Sequence, residues 1–249
     1  MVAKASYDAL MKLEHQITTG TARKLQSIHY VNLDAETTAA FVEVFSNSQT
    51  SELHGKVSRG DDFSSDRAAV NLDQQKPSKH DILVQSFSAP PLQSQYFTTG
   101  FNSFAAVSSD RYRYQMVTPC GIDVQIYCGN IVDEKVDSIV NPANSLLIHS
   151  GGAARAIAAA AGGQLVEECI AYIRQHKELK VTQVMHTTAG KMHPRVTYVI
   201  HVAGPSASEF PDPGNLYEAV FSTFDHCMLY ANNYLHVSSL SIPAISSGE

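Results

Sequence analysis

Within VDSIVNPANSLLIHSGGAARAIAAAAGG, Val136 to Gly163, two asparagines, Asn141 and Asn144, are followed by Ser150, Gly151 and Gly152 and then by an alanine-rich run. A carboxamide offers both a donor and an acceptor and so suits a sugar diol, and Asn144 follows a turn fixed by Pro142. Gly151 and Gly152 lack a Cβ, which lets an anion approach the backbone, and the run behind them reads as a helix whose first amides are free to hold it. One loop could therefore read a sugar and admit a phosphate. The common phosphate fingerprints are absent: there is neither G-x-x-x-x-G-K-[ST] nor G-x-G-x-x-G. His149, just upstream, reads as a solvent-facing loop residue. Cys120, Cys128, Cys169 and Cys227 stand apart without a C-x-x-C, so they read as reduced thiols with no metal-ligand spacing.

Elements must place that loop. Val136 to Val140 reads as a buried strand and a helix starts near Gly152 or Ala153, so the segment between them sits at a strand's carboxyl end, where open α/β sheets bind ligands. HVAGPS, His201 to Ser206, and IPAISSGE, Ile242 to Glu249, also end strands in small residues, and three such ends could converge on one cleft. DVQIYCG alternates like a strand, DEK at Asp133 to Lys135 reads as a solvated turn, and RVTYVIHVAG as another strand. Val220, Phe221, Phe224, Met228 and Leu229 form a core-facing helical stripe, and His186 and His201 read as packed rather than functional. Strands alternating with helices make this part an α/β layered sheet.

The 249 residues, 44% of them hydrophobic, suffice for one large or two small domains. The net charge of −6 sits almost wholly in the second half, which argues against a protein held on nucleic acid by bulk charge. No apolar run approaches membrane-spanning length, so no membrane partner is expected. Residues 1–54 read as a strand, Ser27 to Asn32, and a helix, Asp34 to Phe45, with Asp34 as N-cap: the tail of a small α+β domain. Residues 55–115, rich in Ser, Asp, Gln, Gly and Pro, read as a flexible linker with aromatic docking points, and 116–249 as the organised domain.

In order, YCGNIVDEKVDSIVNPANSLLIHSGGAARAIAAAAGG, TTAGKM, VIHVAGP and IPAISSG resemble a macro domain from about Gly121 onward. The resemblance implies a three-layer α/β/α sandwich with a mixed sheet whose ligand is ADP-ribose, with no cofactor or metal. It places Asn130 and Ile131 at the adenine and Asn144 at the distal ribose. Ser150, Gly151, Gly152, Ala153 and Ala154 would lie along the phosphates and distal ribose, Pro243 on the adenine side, and Ser246, Ser247 and Gly248 in a second phosphate loop. The linker and the piece before it further resemble multi-domain, macro-domain-containing poly(ADP-ribose) polymerases. The implied role is binding of ADP-ribose or mono-ADP-ribosylated proteins, in the nucleus or cytoplasm, as a segment of a larger ADP-ribosyltransferase-type protein. The alternative is an ADP-ribosyl hydrolase.

Three departures refine this. Asn130 stands where many macro domains have aspartate, which predicts weaker adenine recognition by about 1 kcal/mol. Ala154 stands where the hydrolase branch has aspartate and offers no base, leaving Asn144 as the sole catalytic candidate and favouring a binder. The sequence stops at SSGE, before the helix and central strand that complete such folds, which predicts a truncated domain with two unpaired strand edges.

Overall fold

The computed structural model describes residues 1–54 and 114–246. The chain runs α1 (Val2–Thr18), β1 (Ser27–Asn32), α2 (Ala35–His54), β2 (Tyr114–Val117), β3 (Asp123–Cys128), β4 (Ser138–Ala143), α3 (Gly152–Ala161), α4 (Gly163–His176), β5 (Val184–Thr188), β6 (Tyr198–Ala203), α5 (Pro213–Leu229) and β7 (Ser239–Ile242). The strands form one mixed sheet in the order β2-β3-β1-β7-β4-β6-β5. The five inner strands are parallel and the two edge strands run antiparallel to their neighbours.

Both faces of the sheet are covered, which gives the expected α/β/α layering and is what a mostly parallel sheet requires. Residues alternate along each strand, so neighbours serve different cores. Val140 joins Ile200, Val202 and Leu240 under α1, α2 and α5. Ile139 joins Val199, Ile157, Leu165 and Cys169 under α3 and α4. The Gly162-Gly163 pair splits the alanine-rich run into two helices bent by 116°. No single helix among the described residues is long and apolar enough to cross a membrane.

Residues 1–54 are not the tail of a separate domain. β1 lies inside the sheet, paired with β3 on one side and β7 on the other. Its Tyr30 is buried among Phe41, Phe45 and Phe224, with ring centroids 5.5, 5.2 and 6.5 Å away. α1 lies on α5, where Lys12 Nζ meets Asp225 Oδ2 at 2.7 Å. The turn into β1 is held from the far side by Asn232, whose Oδ1 accepts from the amides of Lys24 and Leu25 at 2.7 and 3.0 Å. Burial of β1's apolar side chains against the second half drives this union, a tertiary effect that local pattern does not reveal.

The predicted open edges are therefore filled: β1 takes the slot between β3 and β7, so these two strands are paired on that side. The expected linker lies outside the described residues except at its end, where Tyr114 and Gln115 already belong to β2. β4 also runs past Val140 to Ala143. Pro142 is accommodated because pairing of β4 with β7 involves only Ser138 and Ile139, so its missing N–H falls beyond that ladder.

Candidate functional site

Because the inner strands are parallel, the carboxyl ends of β3, β1, β7, β4 and β6 lie on one edge of the sheet. At the end of β1, Asn32 joins its neighbours: its carbonyl accepts from the amide of Gly129, which follows β3, at 2.8 Å. Its Oδ1 accepts from the amide of Ala244, which follows β7, also at 2.8 Å. The side chain is buried, and Nδ2 has no hydrogen-bond partner among the described residues. Sequence reading passed Asn32 over because it lies far from every motif; its position at the end of a strand was the only signal.

Beyond Gly129, exposed Asn130 caps a short 3-10 turn, Ile131–Asp133, and Ile131 is buried beneath it. The solvated turn expected at DEK is half right: Glu134 is buried, accepting from the Tyr127 hydroxyl at 2.7 Å and facing His29 Nδ1 at 3.0 Å. These contacts fasten the segment after β3 to β1.

After β4 the loop closes on itself. Asn144 is exposed, and its amide is engaged with the backbone of Ile148, donating to the carbonyl and accepting from the N–H, both at 2.9 Å. Ser150, Gly151 and Gly152 are exposed at the start of α3, and Ala154 is buried in its first turn. Gly152 has φ +55° and open space where a Cβ would stand, so a side chain there would carry backbone strain and project into the approach to the helix terminus. Ala153 and Ala154 add first-turn amides, and the dipole of the ten-residue helix favours an anion at this end.

The loops after β6 and β7 press together. A Cβ on Gly204 would lie 2.7 Å from Ser246 Oγ and 2.8 Å from Ile245 Cγ2, so only glycine permits the approach. Pro243 is buried. The Ser246 Oγ has no hydrogen-bond partner among the described residues, and its backbone sits at φ +62°. Ser247 and Gly248 lie outside the described residues. An open groove of about 720 Å³ between the first turn of α1 and α2 shares no residue with these loops.

His149 departs from expectation. Both its ring nitrogens are buried without a hydrogen-bond partner among the described residues, and burial lowers its pKa. Its ring lies 5.8 Å from that of His201, which burial, aided by the neighbouring imidazoles of His149 and His186, brings down to about 3. Cys169 lies against the same ring, its thiol pushed up by burial to about 12. His201 is packed, as expected. Sequence reading missed the grouping because its members come from a loop, a helix and a strand.

The arrangement offers backbone amides at a helix terminus, small-residue loops on either side, and a carboxamide at a neighbouring strand end. That set suits a ligand with phosphates between two sugar-like ends. The family profile described as Macro domain matches residues 140–249. A Saccharolobus solfataricus protein of unassigned role is 35% identical over 130 residues, 52% of this chain and 69% of that one. The O-acetyl-ADP-ribose deacetylase of Salmonella typhimurium is 35% identical over 127 residues, 50% of this chain and 67% of that one. A Sulfolobus acidocaldarius protein is 38% identical, and the match spans 51% of this chain and 66% of that one. Among solved structures, the Oceanobacillus iheyensis macrodomain with ADP is 26% identical, covering 60% of this chain and 72% of that one, with a TM-score of 0.44.

Proposed function

This chain belongs to the macro-domain family, and we propose that its strand-end cleft binds ADP-ribose, free or carried on a protein. The observation that carries the reading is the meeting of an anion-ready helix terminus, at Gly151 and Gly152, with the Gly204 and Ser246 loops on one sheet edge. In this reading the pyrophosphate lies on the first turn of α3 and the adenine near Asn130 and Ile131. The distal ribose lies by Asn144, which exchanges its bonds to Ile148 for the sugar. The Salmonella relative, a deacetylase of an ADP-ribose ester by its name, supports the ligand class.

That relative also favours a second reading, hydrolysis of an ester or protein linkage to ADP-ribose. Against it, Ala154 supplies no base, and a carboxamide such as Asn144 can orient water without accepting its proton. A setting within a larger ADP-ribosyltransferase-type protein draws only on the sequence resemblance; the relatives above carry no transferase name.

Calorimetric titration of ADP-ribose into the chain, with AMP as comparison and circular dichroism as the check on folding, tests the binding. ADP-ribose is expected to bind more tightly than AMP, and Gly152→Val to abolish that difference without unfolding the chain. No binding by a folded wild-type chain refutes the reading. Release of acetate from O-acetyl-ADP-ribose in a single turnover would replace the binder with the hydrolase.

A further inference from the structure

We propose that His149, Cys169 and His201 bind a borderline-soft divalent metal ion, zinc by preference, which ties the glycine loop to the sheet. The three residues come from the loop between β4 and α3, from α4 and from β6, and their donor atoms all lie within 4.8 Å of one another. Cys169 Sγ is 3.9 Å from His201 Nε2. A tetrahedral zinc, with bonds of about 2.0–2.1 Å to nitrogen and about 2.3 Å to sulfur, holds such donors about 3.6 Å apart. Small side-chain movements therefore close the site.

Each ligand has a reason to accept the ion. His149 keeps two buried ring nitrogens with no hydrogen bond to any described residue, a costly state that a metal bond relieves. Cys169 and His201 are buried and held by the sheet and α4. His201 also has a partner behind it, because its Nδ1 faces the amide of Asn141 at 2.9 Å across the β4–β6 pair. With the amide turned so that Oδ1, which is otherwise without a partner, accepts from Nδ1–H, the lone pair of Nε2 is directed at the site. A carbonyl behind a ligating imidazole is the usual outer-shell arrangement. Thr187 Oγ1, 3.0 Å from Nε2, gives up that contact when the metal arrives and stands beside the fourth position, to be filled by its oxygen or a water. One sulfur and two imidazoles suit zinc, or cobalt in its place, over calcium or magnesium. Binding takes Cys169 as thiolate and releases its proton to solvent.

His149 directly precedes Ser150, Gly151 and Gly152, so the ion would fix the loop that leads into α3. The site itself is independent of what that loop binds. The test uses the full chain treated with a chelator, dialysed, and titrated with cobalt(II). Expected are a thiolate-to-cobalt charge-transfer band and visible d–d bands that saturate at one ion per chain and disappear when zinc is added. Cys169→Ser should abolish the charge-transfer band, and His149→Ala, in a loop, should weaken cobalt binding at least tenfold while the metal-free melting temperature stays near wild type. Cys120→Ser and Cys128→Ser should leave both signals intact. A folded wild-type chain without these bands overturns the proposal, as does a charge-transfer band that survives Cys169→Ser. If the chelated chain is unfolded, refolding by zinc supports the site and failure to refold overturns it. Loss of ADP-ribose binding would leave the cobalt spectrum unchanged, so the two readings fail separately.

Discussion

On the face covered by α1, α2 and α5, the sheet presents Ile28, Tyr30, Tyr114, Val140, Ile200 and Ile242 to a ring-rich core. On the face under α3 and α4, the sheet presents Asn141, Thr187 and His201 among smaller apolar residues. The first core has the large rings, so its stability comes chiefly from apolar area removed from water, while its helices also bury Ser6, Glu14, Thr38, Thr223 and Asp225. The second is tied by hydrogen bonds and packed by alanine-rich α3, and it carries the loop proposed to bind phosphate. Stability and ligand response are thus expected to separate, and substitutions on either side can break or sharpen that division.

The largest effect is expected from Tyr30→Ala. Removing a buried ring in contact with three aromatic neighbours should cost about 3–5 kcal/mol, read as a lower urea midpoint with an unchanged slope. A cost below about 1 kcal/mol would mean that β1 does not support the first core. Next comes Asn32→Ala, which leaves the Ala244 amide without its acceptor. It should destabilise by about 1–3 kcal/mol and loosen the loop after β7, so ADP-ribose affinity should fall as well. Loss of affinity with no change in stability would instead assign Asn32 to the ligand.

Asn130→Asp is expected to act on affinity alone. A charged acceptor for the adenine amino group should tighten ADP-ribose binding about fivefold, near 1 kcal/mol, measured by titration, while the melting temperature barely moves. The smallest effect belongs to Asp34, whose Oδ1 accepts from the Thr37 amide at 2.6 Å at the start of α2. That backbone bond, with the Thr37 side chain, holds the carboxyl below its ordinary pKa. A lowered folded pKa means the contribution is present above the unfolded value of about 3.9 and disappears as pH falls through the folded value. Asp34→Ala should therefore cost about 0.5–1 kcal/mol at neutral pH, and the difference in melting temperature from wild type should vanish in strong acid.

Much of the second half was legible because period and punctuation agree there. Alternation marked β3, the stripe Val220, Phe221, Phe224, Met228 and Leu229 marked α5, and Gly151-Gly152 marked the start of α3. The β1 strand and the start of α2 were legible as local elements too. What the sequence hid was pairing: nothing in SIHYVN says that its neighbours are DVQIYC and SLSI, because parallel partners are chosen by distant burial rather than by an adjoining turn. The same reason hid His149. A histidine beside glycines reads as solvated until the chain brings Cys169 and His201 beneath it.

The place of β1 also sets an order of events on the ribosome. β1 emerges before its partners: His29 meets Tyr127 across 98 residues of sequence, and Asn32 meets Ala244 across 212. The nascent strand waits for β3 until about half of the sequence has been made, and for β7 until nearly all of it has. Such non-local pairing slows folding and leaves an apolar strand exposed meanwhile. A chaperone able to shield SIHYVN until β3 and β7 are available should therefore raise the yield of native protein.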